Sequence, residues 1–275
     1  EKLYISPPAV IKQINLLESD LSLRLFIRTH RGLQLTEAGK SLVQDAKYMI
    51  QYCKDSVTRA KNAMQKGEEI LRIGTSPMTP AQVLVDLWPQ LQEGCPGIKF
   101  QLVPFDNTPE NAREILANLG QNIDVVAGIF DETMLNLRQC AGAEISREPI
   151  CCAVSVHHNL AKKDRLTVQD LYGEKLMLMK RGWSHYVDLL RDELWKNHPQ
   201  IQIIDFDFYS TEVFNQCENN NCVLMAVPKW QYVHPLLKIL PVNWGYAIPY
   251  GLLHAPEPSP AVRKFLQAVD KMTKK

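Results

Sequence analysis

A chain of 275 residues, 45% hydrophobic and 22% charged, has room for two or three domains with substantial cores. Its formal charge of +1 conceals an asymmetry: residues 1–67 carry 11 Lys and Arg against 6 Asp and Glu, and the remainder carries 20 against 24. A basic first part suits nucleic acid, no apolar run or leader signals a membrane protein, and seven unevenly spaced cysteines fit reduced cytoplasmic thiols better than a disulfide framework.

The first element is a helix. Ser6 is a good N-cap and Pro7 sits at the first helical position, where a missing N–H costs nothing. Val10, Ile14, Leu17 and Leu21 recur at spacings of four, three and four, so one buried face is expected, with Lys12, Gln13 and Asn15 projecting outward. Leu25-Phe26 then provides an apolar anchor. Arg28, His30 and Arg31 crowd a turn closed by Gly32, and Thr36-Glu37 begins the next helix. Residues 37–66 read as one long helix whose Val43, Ala46, Ile50, Cys53, Val57, Ala60 and Met64 alternate spacings of three and four. That is a seam suited to a two-stranded coiled coil, with packing against the chain's own larger domain as the alternative. Cys53 is expected to be a small core residue in that seam.

Lys66 to Glu69 interrupts the helix and opens a larger domain that alternates strands with helices. Strands are expected at 70–74, 98–103 and 123–129, with helices at 80–92 and 109–119. A second set follows: strands at 151–156, 175–179, 201–209 and 223–226, and helices at 184–198 and 211–218. Residues 251–255 carry the chain back, so that 259–272 packs as a final helix on the first lobe. This rhythm implies parallel, doubly wound α/β sheets.

Ser6, Pro8-Ala9-Val10, Gln13-Ile14, Leu17-Glu18, Leu21, Leu25-Phe26, Arg28, Arg31, Leu35-Thr36 and Ala38-Gly39 stand at the spacings of the LysR-type transcriptional regulators, and the segment closely resembles their N-terminal region. Leu71-Arg72-Ile73-Gly74, Asn122-Ile123-Asp124, His158 to Ala161 and Ala226-Val227-Pro228 extend the resemblance more weakly over the whole chain. It implies a winged helix-turn-helix over residues 1–36, a dimerising linker helix over 37–66, and an effector domain over 67–275. That domain is expected to be two-lobed and doubly wound, like the periplasmic binding proteins, with one lobe at about 70–150 and 255–275 and the other at about 151–254. Roughly two helices precede the reading helix in the family, so the chain is expected to be N-terminally truncated and DNA binding to belong to the complete protein.

The implied DNA contacts are Ser6, Pro7, Pro8, Ile11, Lys12, Gln13 and Asn15 of the reading helix, with Arg28 and Arg31 on phosphates or in the minor groove. Three positions depart from the pattern. Pro7 replaces a common Gln and cannot read adenine, Ile11 replaces a Ser, and Lys12 replaces an Arg and loses the bidentate fork for guanine. The usual Gly-containing turn before the last strand of the second lobe is Asn219-Asn220-Asn221, which still permits φ > 0.

A small-molecule effector is expected beyond the carboxyl ends of the strands, facing helix N-termini that favour anions. Thr75, Ser76 and Thr79 follow the first strand, Phe105 and Asn107 the second, and Phe130 the third. Across the cleft, Arg181 is placed to pair an anion, Trp183 to wall it and Ser184 to cap the next helix, with Tyr209 and Thr211 after the following strand. A small organic anion, a carboxylate among them, is therefore the expected ligand.

Cys217 and Cys222 flank a polar turn, whereas peroxide-sensing members of the family use a more widely spaced pair. Cys151-Cys152 alternate on a strand, so at least one is core. His157-His158 lack a second ligand pair at metal spacing. No catalytic elbow, phosphate loop or carboxylate pair stands out, so neither an enzyme nor a cofactor is expected. The expected partners are double-stranded operator DNA, a small-molecule effector and further copies of the chain as a homodimer or homotetramer. A ligand-binding protein without regulatory DNA binding is the alternative.

Overall fold

The computed structural model describes residues 6–30, 32–64 and 69–273. The chain divides into two compact units, Glu1–Gln65 and Lys66–Lys275. In the first, helix α1 (Pro7–Leu21) starts where Ser6 is extended, although the Ser6 side chain makes no capping bond. It ends at Ser22, whose left-handed backbone (φ 54°) lets its N–H and that of Leu23 close back on Ser19 and Glu18 carbonyls. Strands β1 (Phe26–Thr29) and β2 (Gly32–Leu35) form an antiparallel wing with Phe26 opposite Leu35 and Thr29 opposite Gly32. Helix α2 (Glu37–Met64) follows.

One expectation fails in this unit. The stripe of α1 is not a buried face: Val10, Leu17 and Leu21 are exposed and Ile14 is half-buried, because no described element covers them. In the seam of α2, Val43 and Ala46 are half-buried, whereas Ile50, Cys53, Val57 and Ala60 are exposed in the single chain. The Met64 side chain lies outside the described residues.

The second unit holds two five-stranded sheets. Its first lobe comprises β3 (Glu69–Thr75), α3 (Gln82–Gly94), β4 (Ile98–Pro104), α4 (Pro109–Ala117), β5 (Val125–Ile129), α5 (Glu132–Arg138) and β6 (Ala141–Pro149). The second comprises β7 (Cys151–Ser155), β8 (Lys175–Met179), α6 (His185–Asn197), β9 (Gln202–Phe206), α7 (Thr211–Asn219), β10 (Val223–Ala226) and β11 (Leu237–Pro241). The chain then returns as β12 (Ala247–His254) and α8 (Pro260–Thr273). Sheet orders are β4-β3-β5-β12-β6 and β11-β7-β10-β8-β9.

These sheets are mixed, not parallel. β12 runs antiparallel to β5 and β6, and β7 runs antiparallel to β10 and β11. The return stretch of the first lobe therefore begins at 247 and not at 255. Apolar clusters fill each lobe, with Val262, Phe265 and Val269 of α8 seated on the first. The two crossings are clasped to each other. Buried Ile150, between β6 and β7, donates its N–H to the Tyr246 carbonyl at 2.9 Å and accepts from Trp244 Nε1 at 2.7 Å.

Candidate functional site

The residues expected to meet DNA lie on the open surface of α1. Ser6, Pro7, Pro8, Ile11, Lys12, Gln13 and Asn15 are all exposed. Arg28 faces Leu33 across the wing; its side chain, and the whole of Arg31, lie outside the described residues. Several residues of the motif are pins for this surface. Glu18 Oε1 accepts the backbone N–H groups of Leu25 at 2.6 Å and Phe26 at 2.9 Å, fixing the entry to the wing. Those two amides, Phe26 before Leu25, hold its carboxyl below the usual range. Thr36 Oγ1 caps α2 through the Gly39 N–H at 2.9 Å and donates to the Arg24 carbonyl at 2.7 Å. A Cβ at Gly39 would lie 2.1 Å from the Leu25 carbonyl oxygen, so only glycine permits that approach.

In the second unit, the segment after β3 crosses from one lobe to the other. Ser76 and Thr79 hydroxyls bond each other at 2.7 Å within a tight turn, and Thr75 Oγ1 accepts the Ala81 N–H at 3.4 Å. All three hydroxyls thus have local partners. Met78 packs into the core of the second lobe, and its carbonyl accepts Trp230 Nε1 at 3.0 Å. Asn107 Nδ2 donates to the Tyr209 carbonyl at 2.7 Å, a second bond across the lobes. Phe105 is half-buried beside the same end of the first sheet.

Three expected ligand residues are placed elsewhere. The Phe130 ring is core, packed on Gly142, where a Cβ would meet it at 2.7 Å. Tyr209 is buried between Phe206 and Trp230, with its hydroxyl on the Met225 carbonyl at 2.8 Å. Burial raises that phenol well above its ordinary value, so it serves the core and not a ligand. Arg181 forms an ion pair with Asp192 on the exposed face of α6, next to the turn at Gly182 (φ +85°). Thr211 is exposed at the start of α7.

Trp183 and Ser184 do stand at the junction. Ser184 is 1% exposed at the N-cap of α6, yet its hydroxyl has no partner among the described residues. Asp131, 5% exposed, does the capping instead. Its Oδ1 accepts the Met134 N–H at 2.8 Å, capping α5 in its own lobe, and its Oδ2 accepts the His185 N–H at 2.7 Å, holding the first turn of α6 in the other. The Arg138 guanidinium lies 4.6 Å from the Trp183 ring centroid. Desolvation brings it down to about 10, partly offset by the charges of Cys140 and Asp131.

Sequence reasoning missed Asp131 and Arg138, which carry no local pattern; the Asp two residues after a buried apolar strand and before a short helix was the available signal. It also missed a polar group on the crossing strands. Buried Glu148 accepts from Ser146 Oγ at 2.8 Å and lies 3.5 Å from Lys229 Nζ, which sits above the Tyr250 ring. Near the Asn turn, Asn221 adopts φ 50°. Cys217 Sγ bonds the Cys222 carbonyl at 3.1 Å, and burial pushes its thiol up to about 12. Cys151 and Cys152 are both core, and buried His158 accepts the Leu160 N–H through Nδ1 while its Nε2 lies 3.3 Å from Glu174. Among the described residues no His, Cys, Asp and Glu cluster fits a metal ion, and no helix is long and apolar enough to cross a membrane.

A helix and wing in one unit and two hinged α/β lobes in the other define the architecture of a helix-turn-helix regulator with a substrate-binding domain. The family model for the LysR substrate binding domain matches residues 65–273, and that for bacterial regulatory helix-turn-helix proteins of the lysR family matches residues 1–40. The chain belongs to the LysR family. It is 28% identical over 193 residues to the HTH-type transcriptional regulator YnfL of Escherichia coli, covering 69% of this chain and 62% of YnfL. It spans between about half and two thirds of the length of the curated relatives it matches. The fold is shared with the LysR family regulator CbnR (TM-score 0.63, 18% identity, 100% and 92% of the two chains). It is also shared with the effector binding domain of QuiR in complex with shikimate (TM-score 0.55, 15% identity, 75% and 98%).

Proposed function

We propose that this chain is the DNA-reading and sensing part of a transcriptional regulator that binds duplex operator DNA through α1 and the wing. It dimerises through α2 and senses a small organic anion between its lobes. The observation that carries the sensing role is the closure of the lobes by three polar bonds, Asn107 to Tyr209, Trp230 to Met78 and His185 to Asp131. Single hydrogen bonds contribute about 1 kcal/mol each, so a ligand that makes a few of its own can shift the balance between lobe arrangements. The same fold holds shikimate, itself a carboxylic acid, in QuiR. The exposed seam of α2 supports self-association; an Ile50→Asp variant whose sedimentation matches the parent would remove that role.

The test is a salt-titrated selection of duplex DNA by the full-length protein, with and without a panel of aromatic and aliphatic carboxylates. Affinity should fall steeply with salt, with Arg28 and Arg31 each adding to the slope, and should change with at least one acid. Binding of an acid without any salt-sensitive DNA affinity would turn the reading into a solute-binding protein.

A further inference from the structure

We propose that the junction of α5 and α6 is a carboxylate-binding site whose present occupant is the chain's own Asp131, and that Arg138 is its cation. This rests on the reading that an organic anion acts between the lobes.

A thirteen-residue helix such as α6 concentrates partial positive charge on its free N-terminal amides. Here the His185 amide is filled by Asp131 Oδ2 from the other lobe. The residue that normally caps such an end is idle: Ser184 Oγ is buried at the N-cap without a partner among the described residues. An unsatisfied buried hydroxyl is costly, and it points to a ligand atom completing the end of the helix. Arg138 supplies the second requirement. No carboxylate stands within ion-pair distance of it among the described residues, and it is held on the Trp183 ring close enough to Asp131 to feel its charge. A half-buried guanidinium in that state can accept a second anion without forcing two carboxylates together uncompensated.

The two oxygens of Asp131 divide the work. Oδ1 stays with the Met134 N–H of its own lobe, while Oδ2 makes the interlobe bond and is the exchangeable one. An effector carboxylate that takes the place of Oδ2 gains the His185 amide, the Ser184 hydroxyl and Arg138. The internal occupant then sets a threshold, because an incoming ligand must outbind a tethered carboxylate.

Chemical rescue tests this without effector or DNA, so its failure is separable from failure of the regulatory reading. Amide exchange of His185 is followed by NMR in the 275-residue chain. Asp131→Ala should lower its protection by about tenfold, the loss of one helix cap. Millimolar acetate should restore it where chloride at equal ionic strength does not, and the parent chain should respond at least about tenfold more weakly because its site is filled. Adding Arg138→Gln should abolish the rescue. Unchanged protection in Asp131→Ala overturns the role of Asp131. Rescue by chloride, no rescue by acetate, or rescue that survives Arg138→Gln overturns the anion site. Should Asp131→Ala fail to fold, Asp131→Ser carries the same test, since its hydroxyl can still cap α5 at the Met134 N–H while leaving the place of Oδ2 empty.

Discussion

Among the described residues of the helix–wing unit only Leu25 and Gly39 are buried, whereas the two-lobed unit fills three apolar clusters. The first is kept in shape by backbone amides fastened to single side chains, Glu18 and Thr36, and by one close approach at Gly39. The second is kept in shape chiefly by area removed from water, to which its few interlobe hydrogen bonds add little. Where packing is scarce, each polar pin is indispensable and stands at a fixed spacing. Where packing is plentiful, polar residues are released for function and stand at no fixed spacing.

Gly251→Ala should break the contrast most severely. A Cβ there would lie 1.9 Å from the Ala143 carbonyl oxygen, beside the bulge between β12 and β6, and neither backbone has room to yield. A loss of about 3 kcal/mol is expected in the thermal melt of the two-lobed unit, with the wing's amide protection unaltered. Trp230→Phe comes next. It removes the bond to the Met78 carbonyl together with part of the buried indole, so about 2 kcal/mol should disappear and amides near Met78 should exchange faster. Equal exchange in both proteins would show that packing alone closes the lobes.

Glu18→Gln sharpens the other side of the comparison. Because the Glu18 carboxyl titrates below its ordinary value in the folded unit, its contribution is complete above the usual glutamate range and vanishes as pH falls through the lower folded value. Protection of the Leu25 and Phe26 amides should follow that course in the parent and be pH-independent in the variant. The smallest effect concerns the thiols. Peroxide treatment of the folded protein at neutral pH should not join Cys217 to Cys222, whose thiols are buried and raised. A Cys217–Cys222 disulfide in a peptide mass map would reverse that reading.

The same contrast explains what was legible beforehand. Strands β8 and β10 occupy their expected bounds, Lys175–Met179 and Val223–Ala226, because each is a short, nearly continuous apolar run. Strands β6 and β11 were not foreseen. Glu144, Arg147 and Glu148 interrupt the apolar pattern of the first, Lys238 and Pro241 that of the second, and their pairing comes from distant partners. The expected burial of the α1 stripe failed because periodicity marks an apolar face without saying what covers it. Arg181 stands in a loop between a strand and a helix, where a cation for a ligand is expected, yet Asp192, eleven residues on, holds it on the surface. Arg138 and Asp131 acquire their meaning only when two helices from different lobes meet.

Strand β3 runs seven residues from Glu69 to Thr75, beyond which Met78 is anchored in the opposite lobe. Seven extended residues make a stiff rod of about 23 Å, gripped along its length by β4 and β5 with Leu71 and Ile73 sealed beneath it. Any movement of the second lobe that tugs on Met78 is therefore passed along β3 into the sheet of the first lobe. Within the two-lobed unit the link between the lobes is a lever whose fulcrum is a sheet.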